Sequence, residues 1–439
     1  MKKLEKILSY GIPAALLCGF LAYAVLSQRA DTVTVVCGSI SILIIAFAYL
    51  RGLSPFLKYC TGPSPSPLYE KLGERSRRRL NPTLRIILLS FIAQLVFILG
   101  IYAIHNAVNG FSGTIFKKYP EIFMRSNYFG LGEYAHNAEE RLALLPLIPL
   151  VSDLIGGLTG QGVLCAFLIN TICICALTVM LHRVMLFDSD RRASFEALII
   201  LFLSPAMVYL LMPQSGIAPF LLFSLCVFYF LRKGKFFAAG IFCTLSVLCN
   251  VLGILLIIPI IMETVKALVL KSKGESRCTP KEVLKSVAAM LLPIVAVGLS
   301  MAAASLSLYE QSPFKLLGSS GFRFFFEDLG LLVGNWNLSA TSANAMFTAI
   351  VAYIGFGAML GLAAKRMHSP FTVFTMLWYA LAPAVIGSHN MLIYSLCLCP
   401  TLPMIMADCL RRRIPRLIFM GVLLAAQIIF VSIIFVMRY

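Results

Sequence analysis

Charge is scarce in this chain. Asp, Glu, Lys and Arg make up 13% of its 439 residues, 59% are hydrophobic, and the mean hydropathy is +0.89. A soluble domain cannot hide that much apolar surface, so a water-soluble enzyme or binding module is excluded and a polytopic helical membrane protein remains. Alternation of polar and apolar residues is also missing. The apolar stretches are continuous, which excludes a transmembrane β-barrel. No A-x-A-like cleavage site follows the first apolar run, so residues 1–27 read as a retained span with a basic start. The 13 cysteines show neither zinc-ligand spacing nor a disulfide framework. Most lie inside apolar segments, where they act as small hydrophobes. No internal repeat is visible, which tells against the transporter folds built from repeats.

The charge that is present is mostly basic, with 37 Lys and Arg against 19 Asp and Glu, a net +18. In a soluble protein that balance would point to nucleic acid. Here the basic residues sit in short loops between apolar runs, as the positive-inside rule expects, so the expected partners are membrane lipids and not nucleic acid.

These loops set a topology. Residues 1–50 read as two N-terminal membrane helices, at 10–26 and 33–50. Residues 51–83 form a basic linker holding Arg75, Arg77, Arg78 and Arg79 and the run TGPSPSP, which places this linker and the N-terminus in the cytoplasm. Residues 84–407 form the membrane core, and 408–439 a basic turn with the last span. Within the core, residues 236–261 are too long for one span and short for two. They read as a pair broken near Asn250, which keeps Lys266, Lys271 and Lys273 on the inner side. The whole is an all-α polytopic membrane protein of about thirteen transmembrane segments. Its two large external loops are 105–160 and 305–340.

Five unusual places converge on the external face. They are the loop at 105–160, the Met-Pro-Gln-Ser-Gly turn at 212–216, the break at Asn250, the loop at 305–340 with its GFRFFF run, and the Gly-Ser-His-Asn turn at 387–390. Polar groups gathered at one membrane face make a site for a substrate whose headgroup lies there.

The motifs at these places follow an order: FMRSNYFGLGEYAH at 123–136, LLPLIPLV at 144–151, SPAMVYLLMPQSG at 204–216, CNVLGILLIIP at 249–259, and Ile393-Tyr394 ahead of Pro400. That order resembles the GPI mannosyltransferase II (PIG-V-like) family of GT-C membrane glycosyltransferases. The resemblance implies a GT-C-like helical bundle, a polyprenyl-phosphate-linked sugar as donor, and hexose transfer, mannose in the family, at the external face. A bacterial plasma membrane is the expected location. Four charged family positions differ here. Met124 or Arg125 stands at the loop acid, Gly216 at the acid of the Y-S-E-like turn, Asn250 at the arginine of R-x-x-G, and Ile393 at the late arginine.

Two readings follow from these departures. In the first, a neighbouring carboxylate serves as catalytic base. The candidates are Glu121, Glu133, Glu139 and Glu140; Glu133 is the best placed, five residues after Tyr128 within the motif, and Glu121 is the second candidate. Arg125 or Arg323 would then hold the lipid phosphate, with Tyr128, Gln214, Asn250 and Tyr394 as further substrate contacts. In the second, the chain is a catalytically silent relative that binds a lipid-linked sugar or supports a partner membrane subunit. Each glutamate taken alone also reads as part of a solvated helix face. A transporter or flippase ranks third, because few ionisable residues lie inside the spans; Gln94 and Glu196 are among the polar exceptions. No metal ligands are assigned. The external loop at 105–160 lacks a D-x-D pair, and a divalent metal cofactor stays open.

Overall fold

A computed structural model describes residues 11–22, 32–61, 82–109, 147–159, 162–211, 216–272, 280–307, 353–365, 367–386, 399–410 and 413–437. Every regular element among them is helical. In chain order these are α1 (Gly11–Ala22), α2 (Thr32–Thr61), α3 (Pro82–Asn109), α4 (Leu147–Thr159), α5 (Gly162–Met185), α6 (Arg191–Leu203), α7 (Ala206–Leu211), α8 (Ile217–Arg232) and α9 (Phe236–Cys249). A 3-10 turn (Val251–Leu256) leads into α10 (Ile257–Ser272), followed by α11 (Pro280–Ser307), α12 (Tyr353–Ala363), α13 (Ser369–Ile386), α14 (Leu402–Cys409) and α15 (Arg413–Met437).

Among the described residues, four stretches are long and apolar enough to cross a membrane: Gly38–Cys60, Thr83–Ala103, Cys165–Met185 and Val251–Val269. On α3, Leu88 and Val96 are 58% and 62% exposed, and Leu84, Phe91 and Leu95 are exposed beside them. Water would penalise such a surface and hydrocarbon does not. The chain is an integral membrane protein.

The helices form two compact units, each discontinuous in sequence. One comprises Met1–Pro65, Ile261–Thr279 and Gln311–Cys409. It holds α1, α2, most of α10, α12, α13 and α14. Here α2 packs against α13. Gly357 and Gly361 of α12 face Ile44 and Phe47 of α2, where any Cβ would collide with those side chains. Tyr353 and Tyr379 stack with ring centroids 4.3 Å apart, and Thr375 joins Thr401 by a 2.6 Å hydrogen bond.

The other unit comprises Ser66–Ile260, Pro280–Glu310 and Leu410–Tyr439. Its centre is α9, packed most extensively on α8 and α11, while α5 packs on α3, α4, α6 and α8. The α9–α11 approach depends on Gly240, since a Cβ there would fall on the main chain of Ala289. Small residues let membrane helices come this close. Ser224 and Ser246 hydrogen-bond across the α8–α9 seam at 2.9 Å.

Local caps explain several boundaries. Asp190 accepts from the Ala193 amide at 3.1 Å and starts α6. Gly216, at φ 61°, starts α8 from the left-handed region that favours glycine. The expected break near Asn250 is present. Asn250 is extended, at φ −154° and ψ 130°, between α9 and the 3-10 turn. Two helices run further than the hydropathy pattern suggests. α10 continues past residue 261 to Ser272, and α2 continues through Arg51 and Pro55 to Thr61.

Candidate functional site

Of the site residues expected from sequence, Glu121, Arg125, Tyr128, Glu133, Gln214, Arg323 and Tyr394 lie outside the described residues. Asn250 lies within them. Its side chain is buried, and Oδ1 accepts from the Leu252 amide at 3.0 Å. Its own amide donates to the Ser246 carbonyl at 3.0 Å. The carboxamide thus holds the helix break by satisfying a donor at the start of the 3-10 turn. Gly253 completes the break, because a Cβ there would press into the Val247 backbone.

Within the first unit, α1, α2 and α13 line a half-open cavity of about 620 Å³. Among the described residues of the lining, Tyr49, Ser369 and Thr372 carry a hydroxyl and the rest are apolar, including Leu16, Phe20 and Ile42. Along α2 the lining runs from Ile42 to Phe56, a length of about 21 Å at 1.5 Å per residue. The spacing explains why this face is continuous: residues 42, 45, 49, 52 or 53, and 56 recur every three or four positions on α2.

One end of the cavity borders a cluster of ionisable groups. Phe56 and Ser369 line the cavity, and Tyr59 follows one helical turn after the first while His368 immediately precedes the second. His368 Nε2 lies 3.5 Å from Glu263 Oε1, with both side chains largely buried. The Tyr59 ring meets the His368 ring edge-on at 5.2 Å between centroids. Lys266, 4% exposed, places its ammonium 4.0 Å from the centre of the Tyr59 ring, a cation–π contact. Glu263 and Lys266 are three residues apart on α10 and so share one face. Sequence reading missed this cluster. The available signal was the Glu-x-x-Lys pair, which belongs to a helix and not to the inner loop.

The second unit carries polar pairs of a different kind. Glu196 on α6 accepts from Arg192 at 3.0 Å and pairs with Arg416 at the start of α15. Arg232 binds Asp188 at 2.5 Å and lies over the Phe187 ring. Burial pushes the Asp188 carboxyl above its ordinary range, and the Arg232 guanidinium opposes that shift. His182 Nδ1 shares a short hydrogen bond with Ser194 Oγ. The Asp-Ser-Asp run at 188–190 is therefore occupied, one carboxylate by Arg232 and the other by the α6 cap. Among the described residues no group of three or more His, Cys, Asp or Glu side chains is placed to share a metal ion.

Comparison of the chain with protein families, curated proteins and solved structures returns no match.

Proposed function

We propose that this protein is a GT-C-like membrane glycosyltransferase of about thirteen spans, which binds a polyprenyl-phosphate-linked hexose and transfers the sugar to an acceptor at the external face. The observation that supports this most is the cavity of about 620 Å³, with its hydrocarbon lining and three hydroxyl groups. A soluble sugar gains nothing from such a lining, whereas an isoprenoid chain is matched by it. The cavity belongs to a unit whose α2 is long and apolar enough to cross a membrane, which would let a lipid chain reach it from the bilayer.

The chemistry assigned to the external loops follows the family resemblance. Glu133, with Glu121 as second candidate, would take the proton of the acceptor hydroxyl. The acceptor oxygen then bonds to the anomeric carbon, the bond from that carbon to the phosphate oxygen breaks, and the lipid phosphate leaves. Arg125 and Arg323 would neutralise that leaving group through paired N–H donors. Replacement of the family's charged positions at all four places, Met124 or Arg125, Gly216, Asn250 and Ile393, favours a second reading, a silent relative that holds the lipid-linked sugar or supports a partner membrane subunit.

Native mass spectrometry of the purified protein tests the binding common to both readings. Retention of long-chain polyprenyl phosphate, against none of a soluble nucleotide sugar, is the expected result. Retention of the soluble sugar alone would overturn it.

A further inference from the structure

The buried His368–Glu263 pair sits against the first turn of a helix that walls the lipid cavity. We propose that this pair is a proton-binding site coupled to cavity occupancy, so that a lipid chain in the cavity and a proton on His368 favour one another. The inference rests on the reading of the cavity as a lipid-chain site.

The mechanical link is short. The amides of Phe371 and Thr372 donate to the His368 carbonyl at 2.9 and 3.2 Å, and Ser369 and Thr372 line the cavity. A chain packed on that first turn therefore steadies the residue whose ring faces Glu263. A proton taken from solvent onto the imidazole converts the 3.5 Å contact with Glu263 into an ion pair, which in turn pins the start of α13 to α10. Each event stabilises the geometry that the other needs, and binding linkage makes the coupling reciprocal.

The contact with a carboxylate sets the direction proposed. Among the described residues, Tyr59 from α2, Glu263 from α10 and Phe371 from its own helix face His368. Lys266, also on α10, places its ammonium over the Tyr59 ring, with Cys60 within its electrostatic reach. The Glu263 carboxylate is in contact with the imidazole and favours its charged form, while burial of the ring opposes it. Histidine is the side chain that ordinarily changes charge near neutrality, so the effect is sought between about pH 8 and about pH 5.5.

The test is lipid affinity against pH for the full chain in nanodiscs, with long-chain polyprenyl phosphate as the probe. Affinity should rise by about fivefold or more as the pH falls across that window. Calorimetry in two buffers of different ionisation enthalpy should show proton uptake on binding. Both effects should vanish in His368→Gln, which keeps a hydrogen-bonding side chain without the titration, and in Glu263→Gln. Binding that is pH-independent in wild type, or equally pH-dependent in both variants, would overturn the coupling and leave lipid binding intact. Absence of binding at every pH would overturn the lipid reading and the coupling together.

Discussion

Glu196 on α6 is ion-paired with Arg416 at the foot of α15, a partner 220 residues further along the chain. Gln427, three turns up the same helix, donates to the carbonyl of Phe202 at 2.8 Å and of Ser204 at 3.3 Å, where α6 ends. These contacts fasten the last helix to the second unit. Arg416 is 8% exposed, so removing its partner leaves a guanidinium stranded in low dielectric. Glu196→Gln should therefore destabilise that unit by about 3 kcal/mol. Arg192, whose side chain is 65% exposed, contributes little, and Arg192→Ala should cost under about 1 kcal/mol. Thermal melts in one detergent separate the two, and equal losses would contradict the assignment.

Gly240 supplies a second test. Its missing side chain is what lets α9 lie on α11, because the space for a Cβ is taken by Ala289 main-chain atoms. Backbone cannot swing aside as a flexible side chain can, so Gly240→Ala should cost about 1–3 kcal/mol through overpacking. Gly100 and Gly298 have open space around them, and alanine there should be neutral or slightly stabilising in the same melt.

What could be read from sequence, and what could not, follows from these cases. The Asn250 break was legible because a single polar residue interrupts an apolar run that is the wrong length for one or two crossings. The all-helical membrane class was legible for the same reason, since continuous apolar runs allow little else. The continuation of α2 through Arg51, Pro55 and Lys58 was not, because charge and proline imitate a loop boundary in a hydropathy trace. The His368–Glu263–Tyr59 grouping was less legible still. It joins three separate segments of one discontinuous unit, and only packing brings them together. Of the expected site, the Asn250 position was legible as a break, and its role as a cap emerged from the Leu252 hydrogen bond.

If the cavity holds the lipid chain as proposed, filling it should lower lipid retention without unfolding the protein. Ala380 lines the cavity and is partly exposed. Ala380→Phe should reduce retained polyprenyl phosphate by about tenfold, equivalent to about 1.4 kcal/mol. The comparison is made by lipid extraction and mass spectrometry at matched thermal midpoint. Unchanged retention would place the lipid elsewhere.

Asp188 predicts a pH dependence of stability. Burial raises its carboxyl pKa in the folded chain above the unfolded value, and the attraction of Arg232 only partly offsets the rise. A raised folded value means that the contribution to stability is fully present below the unfolded pKa, about 4, and is lost as pH rises through the folded pKa. Wild type should therefore lose stability on going upward from about pH 4, and Asp188→Asn should lack that component. Melting curves across the acidic range measure it, and parallel curves for the two proteins would contradict it.

The most direct test of the account is hexose transfer by the purified protein, using radiolabelled polyprenyl-phosphate mannose and glucose with a membrane-lipid extract as acceptor. Wild type should form labelled glycolipid, and Glu133→Gln should lower the rate by about a hundredfold or more, the scale of a lost general base. A wild-type protein that binds the donor and transfers nothing would contradict the transferase and leave the silent lipid-sugar-binding relative in its place.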